Sequence, residues 1–256
     1  MSDIRLHVRG QMGVQILQTF MALSNIHEDE NPTIVINKGG DLAYDASNHL
    51  GKLFEPQFPV QEQDEIRKTP YWYEGCAKTI FKNRKRIIDR WMHVLPAPEG
   101  HVINTPEILA KIDATPAGRR IQTALHVRGS DKKVMSTESY VRFGKVAKNE
   151  QAEIDDDEPL LLFTDDLEFA RPIIDGLDAV YVSDGSAVYD WVDMFNTTHL
   201  FAAPSAFVIT MLLIDPLKKI AFAGPSYYDG EYAGVHQDLG FIEEAMPFCP
   251  NVRVLK

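Results

Sequence analysis

Two rhythms of apolar and polar positions alternate along this chain. Ile4 to Val8 is a short strand-like run, RGQMG then supplies two glycines for a turn, and VQILQTFMALSN carries apolar residues at helical spacing. Strand, glycine turn and helix are predicted in that order. A second strand-like run, Thr33 to Asn37, ends at Gly39-Gly40, and the stretch from there to about Pro98 is aromatic, charged and interrupted by proline, which predicts helices and loops. TPEILAKI, from Thr105, pairs Thr105 with Glu107 in a helix-start pattern, and TPAGRR after it reads as a hinge, so that a second lobe begins near Arg119.

Beyond the hinge the pattern is regular. IQTALHV reads as a strand, PLLLFTDD as a buried strand ending in acids, LEFARPIIDGL as the helix behind it, and AVYVSDGS, TTHLFAAP and KKIAFAGP as three further strands. Strands alternating with helical stretches predict parallel βαβ units, whose ligands gather at the carboxyl ends of the strands. His126, Arg128, Asp165, Asp166, Asp184 and Ser205 collect there. The longest apolar run, Leu200 to Ile214, is broken by Pro204, Ser205 and Thr210 and is too short for a membrane span, so it predicts a buried element. EIDDDEP lacks periodicity and reads as a solvated loop.

Composition narrows the classes. The 256 residues suffice for one large domain or two compact ones, and 45% hydrophobic with 25% charged residues is an ordinary globular balance. A formal net charge of −11 argues against a protein that coats nucleic acid or an anionic membrane. Cys76 and Cys249 are too few for a disulfide framework, and MSDIRLHV has no basic region followed by an apolar run, so a cytoplasmic protein without an export signal is expected.

The pentapeptide LHVRG occurs twice, at Leu6 to Gly10 and at Leu125 to Gly129. After the first copy, Gly10 and Gly13 lead into a helix, where a backbone without Cβ and free N–H groups can approach an anion closely. The second copy offers side chains instead. Arg128 at a strand end presents a permanently charged fork suited to a diphosphate, and His126, two residues earlier, points to the same side of the strand. Each feature also has a plain structural reading: a glycine turn, an ion pair with Asp131, a satisfied core histidine.

The motifs together resemble a known group. GQMGVQILQTFMAL resembles the G-x-x-G-N-Q-x-x-Q motif of GDP-fucose-dependent α1,2-fucosyltransferases, and HVRGSDK resembles the H-x-R-R-x-D motif shared with α1,6-fucosyltransferases and their nodulation relatives. FTDDLEFA resembles F-S-D-D, and DWVDMFNTTHLFAAPSAF aligns with D-L-x-L-M-S-x-x-x-H-N-I-I-x-N-S-x-F through Asp190, Met194, His199, Ser205 and Phe207; AFAGPSYY matches the later strand-plus-proline segment. The resemblance spans nearly the whole chain in the right order.

It implies an α/β, GT-B-like fold: two Rossmann-type lobes with parallel sheets facing a cleft, residues 1–116 on the acceptor side and 117–256 holding the nucleotide sugar. It further implies a glycosyltransferase moving fucose or a similar sugar from a GDP-linked donor to a glycan or other acceptor hydroxyl, with inversion. The backbone at Gly10, Met12 and Gly13 would approach the diphosphate, Arg128 would neutralise it, His126 and Asp190 would contact the base, and Ser205 would bind phosphate, with Lys132 or Lys133 as a compensating cation where the pattern's second Arg is missing. No metal or resident cofactor is implied, because a fixed guanidinium and backbone donors stabilise a leaving diphosphate as a divalent cation does elsewhere. Asp131 and Glu138 are the candidates for the base that takes the acceptor's proton.

Two positions depart from the pattern: the second Arg of H-x-R-R-x-D is Gly129, and the Asn of the first motif is Val14. Three rival readings follow. A metal-dependent transferase would use Asp155 to Asp157 or the Asp165-Asp166 pair, but the triplet precedes its strand. A transferase acting on modified bases in DNA would use FKNRKRIIDRWMH, where Lys82, Arg84, Lys85, Arg86 and Arg90 lie near Tyr71, Trp72, Tyr73 and Trp91. A non-catalytic binding protein for nucleotide or glycan would explain Gly129.

Overall fold

A computed structural model of the chain describes residues 3–8, 12–27, 31–37, 60–63, 76–91, 95–96, 102–103, 123–129, 134–154, 159–183, 187–229 and 233–256. The α/β class expected from the sequence is present as two parallel sheets. The first is three-stranded and joins β1 (Asp3–Val8), β2 (Asn31–Asn37) and β3 (Val60–Gln63), with β1 opposite β2 from Asp3 against Asn31 to Val8 against Ile36. Helix α1 (Met12–Ser24) follows β1, as the strand, turn and helix pattern predicts. Helix α2 (Cys76–Trp91) and a small antiparallel pair, β4 (Leu95–Pro96) with β5 (Val102–Ile103), complete what is described of the first half. The predicted helix start at Thr105, the hinge TPAGRR and the loop at Asp155 to Glu158 lie outside the described residues.

The second sheet carries the organisation that matters for function. Its strands are β6 (Thr123–Val127), β7 (Leu161–Thr164), β8 (Val180–Tyr181), β9 (His199–Ala202), β10 (Lys219–Ala223) and β11 (Val252–Leu255), in the spatial order β8-β7-β6-β9-β10-β11 and parallel throughout. Numbered within this sheet, that order is 3-2-1-4-5-6, the doubly wound dinucleotide-binding arrangement. Helices α3 (Thr137–Ile154) and α4 (Leu167–Leu177) pack on one face, where Tyr140, Phe143, Ala147, Ile173 and Leu177 meet Leu125, Val127 and Phe201. On the other face lie α5 (Ala187–Asn196), α6 (Ala206–Ile214) and α7 (Ala233–Ala245).

The apolar run Leu200 to Ile214 resolves into β9, a bend at Pro204-Ser205, and α6. All of α6 except Phe207 is buried, because the helix lies between the sheet and the helices α1, α2, α5 and α7, and a helix apolar on every side needs such a place. Ile16, Leu17 and Phe20 of α1 and Ile80, Phe81, Ile87 and Ile88 of α2 therefore share one core cluster with Val208 to Ile214.

The basic stretch of α2 serves this packing. Arg86 donates through Nη1 to Ile26 O (2.9 Å) and through Nη2 to Leu23 O (3.1 Å) and Ser24 O (3.3 Å), covering the carbonyl end of α1. Arg84 Nη1 does the same for α6 at Leu213 O (3.2 Å) and Ile214 O (3.1 Å). Carbonyls at a helix end lack intrahelical donors and carry the negative end of the dipole, so a guanidinium there is favourable twice over. Buried Lys218 plays this part for α5, donating to Phe195 O at 3.0 Å and to the carbonyl of Thr197. Among the described residues no helix is long and apolar enough to cross a membrane.

Candidate functional site at the switch point of the second sheet

In a doubly wound sheet the chain leaves adjacent strands toward opposite faces at one place, and the crevice this opens at the carboxyl ends binds ligands. Here that place lies between β6 and β9, since β6 leads into α3 on one face and β9 into α6 on the other. His126 and Arg128 stand at the end of β6, and Ser205 begins the helix that follows β9. Alternation along β6 sends Leu125 and Val127 into the core cluster under α3, while Ala124 belongs to the opposite cluster; His126 and Arg128 follow Ala124 in register.

His126 is buried, with its ring 5.7 Å from that of Phe207. Burial lowers its pKa from 6.5 to about 4; Asp165 acts in the opposite sense and the Arg128 charge in the same sense, so the ring is neutral at neutral pH. Its buried Nδ1 has no hydrogen-bond partner among the described residues. A buried imidazole nitrogen without a partner is uncommon and is a ready donor or acceptor.

Ser205 is fully buried and caps α6 in an extended conformation, its Oγ accepting from Val208 N at 3.4 Å. Val208 N–H is thereby taken, and the hydroxyl proton remains for another acceptor. Gly13 sits against this turn: a Cβ there would lie 2.4 Å from Phe207 N, 2.5 Å from Phe207 Cα and 2.6 Å from Ala206 C. The glycine is thus required by the close approach of two helix beginnings, that of α1 and that of α6. Its φ lies outside the left-handed region, so close approach and not an unusual backbone explains the residue type.

Arg128 is buried, and its main chain is held on both sides. Its N–H donates to Tyr140 Oη at 3.1 Å, the Tyr140 hydroxyl donates back to Arg128 O at 3.4 Å, and Gly129 N–H donates to Asp165 Oδ1 at 2.8 Å. Asp166 caps α4 by accepting from Phe169 N at 3.0 Å. Each carboxylate of the pair considered for a metal thus accepts a backbone N–H, and no three acidic, imidazole or thiol groups among the described residues come together as metal ligands.

Asp190, in the first turn of α5, accepts a hydrogen bond from the Ser183 hydroxyl at the end of β8 and is half-buried. Glu138 lies exposed in the first turn of α3, where its own backbone N–H and the hydroxyls of Ser136 and Thr137 hold its carboxyl below the usual range. Gly10, Asp131 and Lys132 lie outside the described residues, as does the side chain of Met12. His199 is not at the carboxyl end: it opens β9 at the amino ends of the strands, beside Lys219 and Arg253, in an open cavity of about 310 Å³. Of the predicted residues, then, Gly13, His126, Arg128 and Ser205 come together at the switch point. Asp190 stands apart, in the first turn of the helix that follows β8, and Tyr140, a contributor to the site, carried no signal in the sequence beyond its helical spacing.

No protein-family model matches this chain, and no curated protein matches it in sequence. Among solved structures it is similar to the fucosyltransferase NodZ from Bradyrhizobium, at 16% identity and a TM-score of 0.45, over 90% of this chain and 98% of that one. It is also similar to a glycosyl transferase of family 9 from Veillonella parvula, at 10% identity and a TM-score of 0.49, over 99% and 86% of the two chains. A third similarity, to the E. coli heptosyltransferase WaaC with ADP, has 11% identity and a TM-score of 0.46 over 97% and 99%.

Proposed function

We propose that this chain is a glycosyltransferase that takes a sugar from a nucleoside-diphosphate donor, with a GDP-linked sugar as the first candidate, and passes it to an acceptor hydroxyl with inversion and without a metal. The observation that carries this reading is the meeting, at one switch point, of Arg128, a neutral buried His126 with an unpartnered Nδ1, and the Ser205-capped beginning of α6. Such a set binds an anion with a polar group beside it, which is what a nucleotide diphosphate offers. The order of the motifs along the chain supplies the rest.

In the proposed reaction the acceptor oxygen attacks the anomeric carbon, the bond from that carbon to the β-phosphate oxygen breaks, and the electron pair leaves with the diphosphate. Arg128 and the first turn of α6 meet the growing negative charge, where one well-placed donor is worth about 3 kcal/mol of barrier. His126, being neutral, donates or accepts a hydrogen bond without adding charge, and Asp190, held by Ser183, accepts from N–H groups of the base. The acceptor's proton passes to a carboxylate, for which Asp131 and Glu138 are the candidates. The lowered pKa of Glu138 makes it a weaker base than an ordinary glutamate. A cytoplasmic setting and a glycan or similar hydroxyl acceptor belong to the same proposal.

A second reading, a relative that binds the donor without turning it over, is favoured by one observation: a Cβ at Gly129 would lie 2.7 Å from Asp166 Cβ and 2.8 Å from the Phe169 ring, so no second guanidinium fits there. The DNA reading loses Arg84 and Arg86, which cover helix ends, and of the basic residues it rests on keeps the exposed Lys82 and Lys85 and the half-buried Arg90 on α2.

A calorimetric and thermal-shift screen of GDP-, UDP-, ADP- and CMP-sugars tests the proposal. Ligand at one hundred times its Kd stabilises the folded state by about 2.7 kcal/mol. Stabilisation by a GDP-sugar, followed by transfer or slow hydrolysis that survives excess chelator, is expected. Binding without any turnover favours the second reading, and indifference to all four nucleotide classes overturns both.

A further inference from the structure

We infer that Tyr140 and Asp165 are positioning residues for Arg128, holding rigid the strand end that carries its guanidinium. The inference rests on the reading of Arg128 as the group that meets the donor's diphosphate.

Strand β6 pairs with β9 as far as His126 opposite Ala202 and with β7 as far as Val127 opposite Thr164, so the peptide groups of Arg128 lie one step beyond both ladders. They are buried, and buried main-chain polar groups need partners. One hydroxyl serves both, since Tyr140 Oη accepts from Arg128 N and donates to Arg128 O. The next N–H, of Gly129, is taken by the carboxylate of Asp165, a charge-assisted bond at 2.8 Å. Two successive peptide units are thereby pinned from opposite sides, one from α3 and one from the turn after β7.

The pins are themselves anchored. Tyr140 is fully buried on α3, its ring edge-on to Phe169 with centroids 6.1 Å apart, and burial raises its pKa, so the hydroxyl keeps its proton. Phe169 and Asp166 are also the groups that a Cβ on Gly129 would strike. The same packing that excludes a second arginine brings Gly129 N–H within reach of Asp165. A guanidinium at the end of a long side chain amplifies any rotation of its own backbone, and a displacement of about 1 Å at a reacting centre costs about a hundredfold in rate.

The test uses the full chain with GDP and guanosine as probes, read by calorimetry. Tyr140→Phe keeps the ring and removes the hydroxyl. It is expected to weaken GDP binding at least tenfold while changing guanosine binding less than twofold, because the loss falls on the diphosphate. In an Arg128→Ala background Tyr140→Phe is expected to cause no further loss of GDP affinity. Asp165→Ala is expected to behave like Tyr140→Phe, and Asp165→Asn, which still offers an acceptor to Gly129 N–H, to restore binding; this pair carries the test if Tyr140→Phe fails to fold. Amide hydrogen exchange at Arg128 and Gly129 is expected to speed up at least tenfold in Tyr140→Phe. Unchanged GDP affinity in folded Tyr140→Phe, or equal loss for GDP and guanosine, overturns the inference. If the wild type binds no nucleoside diphosphate, the functional reading has failed, and unaltered exchange at those two amides then shows that the clamp has failed as well.

Discussion

Gly13 of α1 and Phe207 of α6 are in backbone contact: the Cβ that Gly13 lacks would lie 2.4 Å from Phe207 N, closer than any side chain could be accommodated without the helices parting. The contact joins the beginning of the first helix of the chain to the beginning of the helix that follows β9, beside the ring of His126. Gly13→Ala is therefore expected to act on stability before it acts on ligand binding. Overpacking of this kind costs about 1–3 kcal/mol, and thermal unfolding should show a Tm lowered by several degrees. A variant as stable as the wild type that nevertheless binds nucleotide more weakly would restore the phosphate cradle as the main role of this glycine.

Arg128→Ala is expected to abolish transfer or hydrolysis of the donor, with a barrier raised by about 2–4 kcal/mol. The matching change in the first LHVRG copy, Arg9→Ala, is expected to be mild, because a side chain before a glycine turn need not face the crevice. Turnover and donor affinity measured on both folded variants decide the matter, and comparable damage from the two would show that the copies do not divide backbone and side-chain roles.

Asp190 accepts from Ser183, and a carboxylate is the kind of acceptor that N–H groups of a guanine edge require. Asp190→Ala is expected to weaken GDP binding by about tenfold or more, the size of one lost charge-assisted hydrogen bond, and ADP binding far less. Equal losses for the two nucleotides, measured by calorimetry, would leave Asp190 with a structural role only.

The lowered pKa of His126 makes stability depend on pH. The folded value of about 4 lies below the unfolded value near 6.5, so between these the unfolded chain binds the extra proton and stability falls as pH falls. Above about pH 7 this group contributes no pH dependence. From pH 6.5 to 4 it should remove up to about 3 kcal/mol. Denaturant unfolding of wild type and His126→Phe at pH 7 and pH 4.5 tests this; a wild-type acid sensitivity that His126→Phe leaves undiminished would assign it to other groups.

Arg84→Ala and Arg86→Ala each leave two or three helix-end carbonyls without their guanidinium. Each should cost about 1–3 kcal/mol of stability, and neither should alter retention on DNA in low salt. A selective loss of DNA retention in folded Arg84→Ala or Arg86→Ala would revive the reading of α2 as a nucleic-acid face.

Local pattern alone was enough for β1, α1, β2 and for β6 through β10 with α4 between them, because an apolar face repeating every second or every third to fourth residue is a property of neighbours in the chain. Strand β11 escaped that reading: NVRVLK is short, and Arg253 faces outward on a sheet edge where burial imposes little pattern. Strand β3 escaped for a related reason, since VQEQ carries one apolar residue in four. The residues with chemical character, His126, Arg128 and Ser205, were legible as types at strand ends, and the strand order then brought them to one switch point. The roles of Gly13, Gly129, Tyr140, Arg84 and Arg86 were decided only by tertiary structure. A glycine before a helix reads the same whether it admits a phosphate or another backbone, and a basic run reads the same whether its arginines face solvent or cover the carbonyl ends of helices far away in sequence. Those distinctions depend on what lies across the contact, and a contact between distant segments leaves no periodic trace in either of them.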